Sequence, residues 1–229
     1  MFGFTQKSLV WIFLTLLCLT CQAQVGIRAG FVQLEAPGFE LAQRGQTFLS
    51  PPGNGPAFSM DYRLKIRNLR LEFRPEVQWV IPRSGESAGW RTSGNYMGIW
   101  GNVTLFPFDL KGDCDCPTFG RQGRPIHKSL FLEAAPGLHY LYNEVSVTIP
   151  GSNDMVFKDS FVAPGGAIGI GAELKLQRNL SVSPFARMIV LPNLSWPGLL
   201  EAAEAESLDP LEAQAFLSGL NVGLRIGFR

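Results

Sequence analysis

Very little in this chain of 229 residues points to catalytic chemistry. It has two histidines, His127 and His139, and neither has a serine and an acid at a spacing that would build a hydrolytic triad. Neither catalysis nor a bound cofactor is therefore expected. Cysteine is equally scarce: Cys18 and Cys21 fall in the first 23 residues, which leaves Cys114 and Cys116. One intervening residue is too close for a comfortable ordinary disulfide, and with no histidine nearby the pair is a poor metal site. Two thiols or a labile disulfide in a turn is the expectation, with no metal. Beyond residue 23 no stretch approaches eighteen consecutive apolar residues, which excludes a membrane-spanning helix there. Net charge is lacking too, at +1 overall, so neither nucleic acid nor a strongly acidic polymer is implied as a partner.

What is present begins with a leader. Lys7 supplies a positive start, Leu9 to Thr20 is almost wholly apolar, and Cys21-Gln22-Ala23 places small residues where signal peptidase reads them. Residues 1–23 read as a signal peptide cleaved before Gln24, in preference to an uncleaved anchor or lipoprotein processing at Cys21. Residues 24–229 then form one domain.

That domain is dominated by strict two-residue alternation, the signature of strands with one apolar and one polar face. In the last strand Leu220, Val222, Leu224, Ile226 and Phe228 alternate with Gly219, Asn221, Gly223, Arg225 and Gly227. Similar segments occur at Val25 to Leu34, Phe58 to Ile66, Leu69 to Trp79, Tyr96 to Phe108, Ser129 to Tyr142, Phe161 to Leu176 and Leu180 to Leu191. The lipid face of the fourth is ambiguous, because Trp100 and Phe106 alternate with Ile99, Val103 and Leu105. Eight segments, an even number, predict an all-β fold: an eight-stranded antiparallel transmembrane barrel with long external loops.

Orientation follows from the charges. Arg28, Arg63, Lys65, Arg70, Glu72, Arg74, Glu76, Glu133, Glu173, Lys175, Arg187 and Arg225 all fall on polar faces, and Asp61 reads as a further partner for arginine. Hydrocarbon outside and a polar lumen inside accommodate them; a ligand-binding barrel with apolar residues inward does not. Eight strands leave a lumen that side chains fill, so the charges are expected to pair and seal it, with glycines such as Gly26, Gly30, Gly223 and Gly227 making room.

Loops and rims complete the pattern. Leu34 to Ala57, Ile81 to Asn95, Asn143 to Ser160 and Pro192 to Ala215 read as long external loops; Arg67-Asn68 and Gln177-Arg178-Asn179 read as short periplasmic turns. Asp109 to His127, which holds both remaining cysteines, is the exception. Pro51 to Pro56 and Gly151 to Asp154 read as exposed turns. Pro75 and Pro136 predict a bulge or a bend. Trp79, Trp100, Tyr140 and Tyr142 are candidate anchors at the membrane rims. The last long loop carries Glu201, Glu204, Glu206, Asp209 and Glu212 without a basic residue, and Asp209-Pro210 reads as the N-cap and first residue of a short helix.

Val25-Gly26-Ile27-Arg28-Ala29-Gly30, the stretch from Tyr62 to Trp79, Phe131 to Leu138 and Gly169 to Leu174 carry a resemblance to the small outer-membrane β-barrel proteins of Bacteroidetes, the PorT-like and OmpA-like eight-stranded barrels. The resemblance implies residence in the cell outer membrane, contact with its lipid, and insertion by the barrel-assembly machinery. Leu220, Val222, Leu224, Ile226 and Phe228 then look like the terminal insertion signal, although Arg229 follows the aromatic residue on which that signal usually ends. No activity is implied. A structural or envelope-integrity role is the first functional expectation. The second is an interaction protein that uses its external loops for adhesion or within a surface or type IX secretion assembly, with a protein partner; a narrow solute pore is the third.

Overall fold

The computed structural model describes residues 24–35, 41–43, 46–49, 54–65, 71–87, 90–107, 127–147, 155–177, 179–194, 197 and 215–228. The strands in chain order are β1 (Gln24–Glu35), β2 (Leu41–Gln43), β3 (Gln46–Leu49), β4 (Asn54–Lys65), β5 (Leu71–Val80), β6 (Gly85–Ser87), β7 (Trp90–Leu105), β8 (His127–Val147), β9 (Met155–Gln177), β10 (Leu180–Leu194) and β11 (Ala215–Phe228). β2 pairs only with β3, and β6 is a short addition to the start of β7. The other eight close on themselves in the order β1-β4-β5-β7-β8-β9-β10-β11 and back to β1, every neighbour antiparallel. This is the closed eight-stranded barrel that the alternation predicts.

Side chains follow the period. Along β1, buried and exposed residues alternate with a single interruption, because one face looks into the lumen and the other looks away from it. Outward residues include Ile27, Met60, Ile99, Leu138, Ile170 and all five of Leu220, Val222, Leu224, Ile226 and Phe228. They form an apolar band around the wall. Its upper limit is visible in directly opposed rows across β7, β8 and β9: Met97, Tyr140 and Val162 are followed by Asn95, Tyr142 and Ser160, then by Ser93, Glu144 and Lys158. On β8 the apolar outward positions run from Leu130 to Tyr140, matching the roughly 9–11 residues of a strand that crosses a bilayer.

Several expectations are corrected. The fourth strand resolves with Met97, Ile99, Val103 and Leu105 outward, so Trp100 points into the lumen at 1% exposure and is not a rim anchor. Trp79, at 43%, and Tyr140 do lie on the outer face, and Tyr142 is half-buried. Much of the Asn143 to Ser160 loop is strand, paired from Asn143 with Asp159 up to Val147 with Met155. Its outer positions on β8, Glu144 and Ser146, are polar, which suggests a loop, but Val145 and Val147 continue the buried alternation. Similarly, β6 and the start of β7 occupy part of Ile81 to Asn95, and Asn54 to Pro56 belong to β4, where Pro56 pairs with Phe31.

Prolines interrupt hydrogen bonding without bending the register. Beside Pro75 the β4–β5 ladder stops at Asp61–Glu76 and resumes at Leu64–Phe73 in step; beside Pro136 the β7–β8 ladder skips from Trp100–Gly137 to Val103–Ala134. Each proline removes one donor, and the cost is confined to that rung. Neither marks a bulge. Register shifts occur instead at Leu180–Ser181 and Leu191–Leu194 of β10. The expected signal segment, Cys114 and Cys116, the helix expected at Asp209 with its acidic neighbours, and Gly151 to Asp154 lie outside the described residues.

Candidate functional site

Within the lumen the inward residues sort into zones. Near the long connections Val32, Leu34, Leu141, Val145, Ile189, Leu191 and Leu217 belong to one apolar cluster. The interior is therefore not polar throughout, as the charge pattern suggested. Tyr96 and Trp100 belong to the same cluster and carry its polar groups: Trp100 Nε1 donates to Gln78 Oε1 at 2.8 Å, and the Tyr96 hydroxyl and His139 Nδ1 share a hydrogen bond of 2.6 Å. His139 also meets Trp100 edge-on, at 4.2 Å between ring centres. Here the cluster meets the charges, with the Arg187 guanidinium 5.0 Å from the centre of the Trp100 ring.

The charges form two alternating quartets and one pair. In the first quartet Arg28 is bidentate to Glu133, with Nη1 to Oε1 at 3.1 Å and Nη2 to Oε2 at 2.8 Å. Arg187 is bidentate to Glu76 at 3.2 and 3.0 Å. Cross-contacts Arg28–Glu76 at 3.3 Å and Arg187–Glu133 at 3.5 Å close the ring. Strands β1 and β8 stand four apart in the eight-strand circuit, as do β5 and β10. The two bidentate pairs are thus crossed beams, each spanning the barrel from wall to opposite wall.

The second quartet joins Arg63, Glu72, Arg74 and Glu173. Arg63 hydrogen-bonds Glu72 and reaches Glu173 at 3.2 Å; Arg74 lies 2.7 Å from Glu72 and 3.7 Å from Glu173. Arg63 on β4 and Glu173 on β9 are again opposite in the circuit. Rings pack among these charges: the Arg74 guanidinium is 5.6 Å from the centre of Phe131, and Arg28 is 5.2 Å from that of Phe185. Phe106, Phe131 and Phe185 form a small cluster of their own. Such cation–ring contacts gain strength where water is excluded.

Asp61 and Arg225 form the pair, linked to the first quartet by Arg28 Nε to Asp61 Oδ2 at 3.4 Å. Five arginines thus meet five carboxylates, and all ten residues are buried. Among these ten residues the formal charges cancel. Paired, hydrogen-bonded charges of this kind tolerate burial, whereas one left alone does not.

Of the residues singled out in the sequence, Arg28, Arg63, Glu72, Arg74, Glu76, Glu133, Glu173, Arg187 and Arg225 are placed together in this lumen. Lys175 is half-buried, while Arg70 and the Lys65 side chain lie outside the described residues. Asn102 completes the first quartet, donating from Nδ2 to Glu76 Oε2 at 2.6 Å, and was not anticipated as a member. A neutral amide on an alternating strand carries no sign by which to find it. Among the described residues no group of histidine, cysteine, aspartate and glutamate is arranged to hold a metal ion.

Solved structures similar to the chain include three outer-membrane or surface proteins. Neisserial surface protein A is 14% identical with a TM-score of 0.47, over 89% of this chain and 95% of that one. Ail, the attachment invasion locus protein of Yersinia pestis, is 12% identical with a TM-score of 0.46, over 90% and 99%. A major outer membrane protein from Thermus thermophilus is 15% identical with a TM-score of 0.40, over 90% and 99%. No protein-family model matches the chain, and no curated protein matches it in sequence.

Proposed function

We propose that the chain is a small outer-membrane β-barrel with a structural, envelope-integrity role and a lumen closed to solutes. The observation that carries this reading is the joint presence of an apolar outer band and a charge-balanced, side-chain-filled interior. A water-soluble protein rarely exposes a contiguous apolar surface of such extent, and a closed sheet is the strand architecture that hydrocarbon accepts. The crossed guanidinium–carboxylate beams set buried side chains across the lumen from wall to wall, which supports a closed interior. The outward apolar row of β11 supports its reading as the terminal insertion signal, legible to an assembly machinery before β1 and β10 pair with its edges.

Conductance distinguishes this role from the pore. The purified barrel in a planar bilayer is expected to give no single-channel steps above the bare-membrane leak, and a stable ohmic conductance would establish a pore instead.

A second reading, contact with a protein partner, rests on the sheet that stands beyond the apolar band. β8 and β9 run to 21 and 23 residues, about twice a membrane crossing. Their ladder to each other continues to Val147–Met155, whereas β9 pairs with β10 only as far as Gly166–Val190. On the outer face Lys158 Nζ lies 3.2 Å from a Glu144 oxygen, and that carboxylate holds the ammonium's pKa above its ordinary value. A photo-crosslinking residue in place of exposed Ser160, in intact cells, should give a discrete adduct that the same probe at Ile168 does not. Identical patterns at both positions would remove this reading.

A further inference from the structure

We infer that Asp61 is the latch of the seam where the two ends of the chain meet, holding β11 against β1 from a third strand. The seam pairs Val25 with Phe228 through to Glu35 with Ser218. It is the one junction of the wall that joins the first strand to the last, so its closure carries the largest loop-closure cost in the circuit. Its inner face is unusually bare: Gly26 stands directly opposite Gly227, Gly30 opposite Gly223, and between these two glycine pairs Arg28 stands directly opposite Arg225. Like charges in directly opposed positions repel and weaken a strand pair. The seam itself supplies no carboxylate at that level.

Asp61 supplies it from β4. It stands directly opposite Gly26 on β1, which stands in turn opposite Gly227 on β11. With no side chain on either glycine, the Asp61 carboxylate reaches across β1 and accepts from Arg225 Nε at 2.7 Å and Nη2 at 2.6 Å. The space is already taken by that contact: a Cβ on Gly26 would overlap the Arg225 guanidinium, and one on Gly227 would lie 2.6 Å from Arg225 Nη1. With Arg225 held against Asp61 in this geometry, neither position has room for a Cβ. The same carboxylate touches Arg28 Nε at 3.4 Å, so one acid lies against both opposed arginines.

The two arginines differ in what else they have. Arg28 also reaches Glu133 and Glu76, and it keeps these without Asp61. Among the contacts of the described residues, Arg225 has Asp61 as its carboxylate partner and no other. Loss of the Asp61 charge therefore leaves an uncompensated guanidinium on the closing strand, facing a second guanidinium across the seam. The damage is local. Loss of Glu133 removes the beam that ties Arg28 to the opposite wall, but Arg28 keeps Glu76 and Asp61, and the Asp61–Arg225 pair across the seam is untouched.

Hydrogen exchange resolved by peptide in the refolded barrel tests this. Asp61→Asn should speed exchange of backbone amides in 25–35 and 218–228 at least tenfold over wild type, with amides in 96–105 and 130–141 unchanged. Glu133→Gln should leave the two seam segments no faster than the rest of the wall. The double variant Asp61→Asn/Arg225→Gln, which removes both members of the pair, should return seam exchange to within about threefold of wild type. Should Asp61→Asn fail to fold, the double variant must still fold with a protected seam. An even rise over all strands, an unchanged seam in Asp61→Asn, or a double variant that is as open or as unfolded as the single one would overturn the latch.

Discussion

Replacing Glu76 with glutamine is expected to cost the barrel about 3–5 kcal/mol of unfolding free energy, the penalty of stranding buried charge. No other carboxylate of the first quartet is so heavily engaged: it takes two hydrogen bonds from Arg187 and one from Asn102, and lies 3.3 Å from Arg28. It is 1% exposed, so water cannot replace what the substitution removes. Glu133 at 3.5 Å would be the one carboxylate left to Arg187 among the described residues, beside the neutral Asn102 Oδ1 at 3.3 Å. Urea unfolding of the refolded protein in micelles gives the number. Arg187→Met in the Glu76→Gln background should recover part of the loss, because the guanidinium left behind is the larger share of the penalty. Glu144→Gln, which touches exposed Lys158 above the band, is the contrast and should change little. A Glu76→Gln barrel as stable as wild type would mean that the crossed beams contribute nothing.

How far the sequence goes toward this picture depends on what period two can encode. Alternation assigns faces, so the placement of Arg28, Glu76, Glu133 and Arg187 on one side of the sheet is legible from their neighbours. Which charges meet is not, because partners such as Arg28 and Glu133 lie 105 residues apart and come together through closure and stagger. Alternation also fails where both faces are apolar. Trp100 alternates with Ile99 and Val103, and nothing in that pattern says which is inside. The apolar upper lumen is hidden for the same reason, since Val32, Ile189 and Leu191 look like wall residues until the register assigns them inward. At the top of β8 the misreading runs the other way, because polar Glu144 and Ser146 suggest a loop where Val145 and Val147 still keep the strand period.

The membrane reading rests on the outer face, and there a charge has its largest effect. Ile168 is 66% exposed and directly opposes Ala134, midway along the apolar stretch of β8. An arginine at the bilayer midplane of such a wall costs about 2–4 kcal/mol, whereas near or beyond an interface the cost falls to about 0–1 kcal/mol. Val156, on the same face of the same strand and opposite Ser146, lies beyond the apolar band and supplies the matched control. The decisive measurement is the unfolding free energy of Ile168→Arg and Val156→Arg in lipid vesicles, each against wild type. A lipid-facing wall predicts a loss of about 2–4 kcal/mol for Ile168→Arg and about 0–1 kcal/mol for Val156→Arg. Equal, small effects at the two positions, with the Ile168→Arg protein folding in detergent-free buffer, would contradict it.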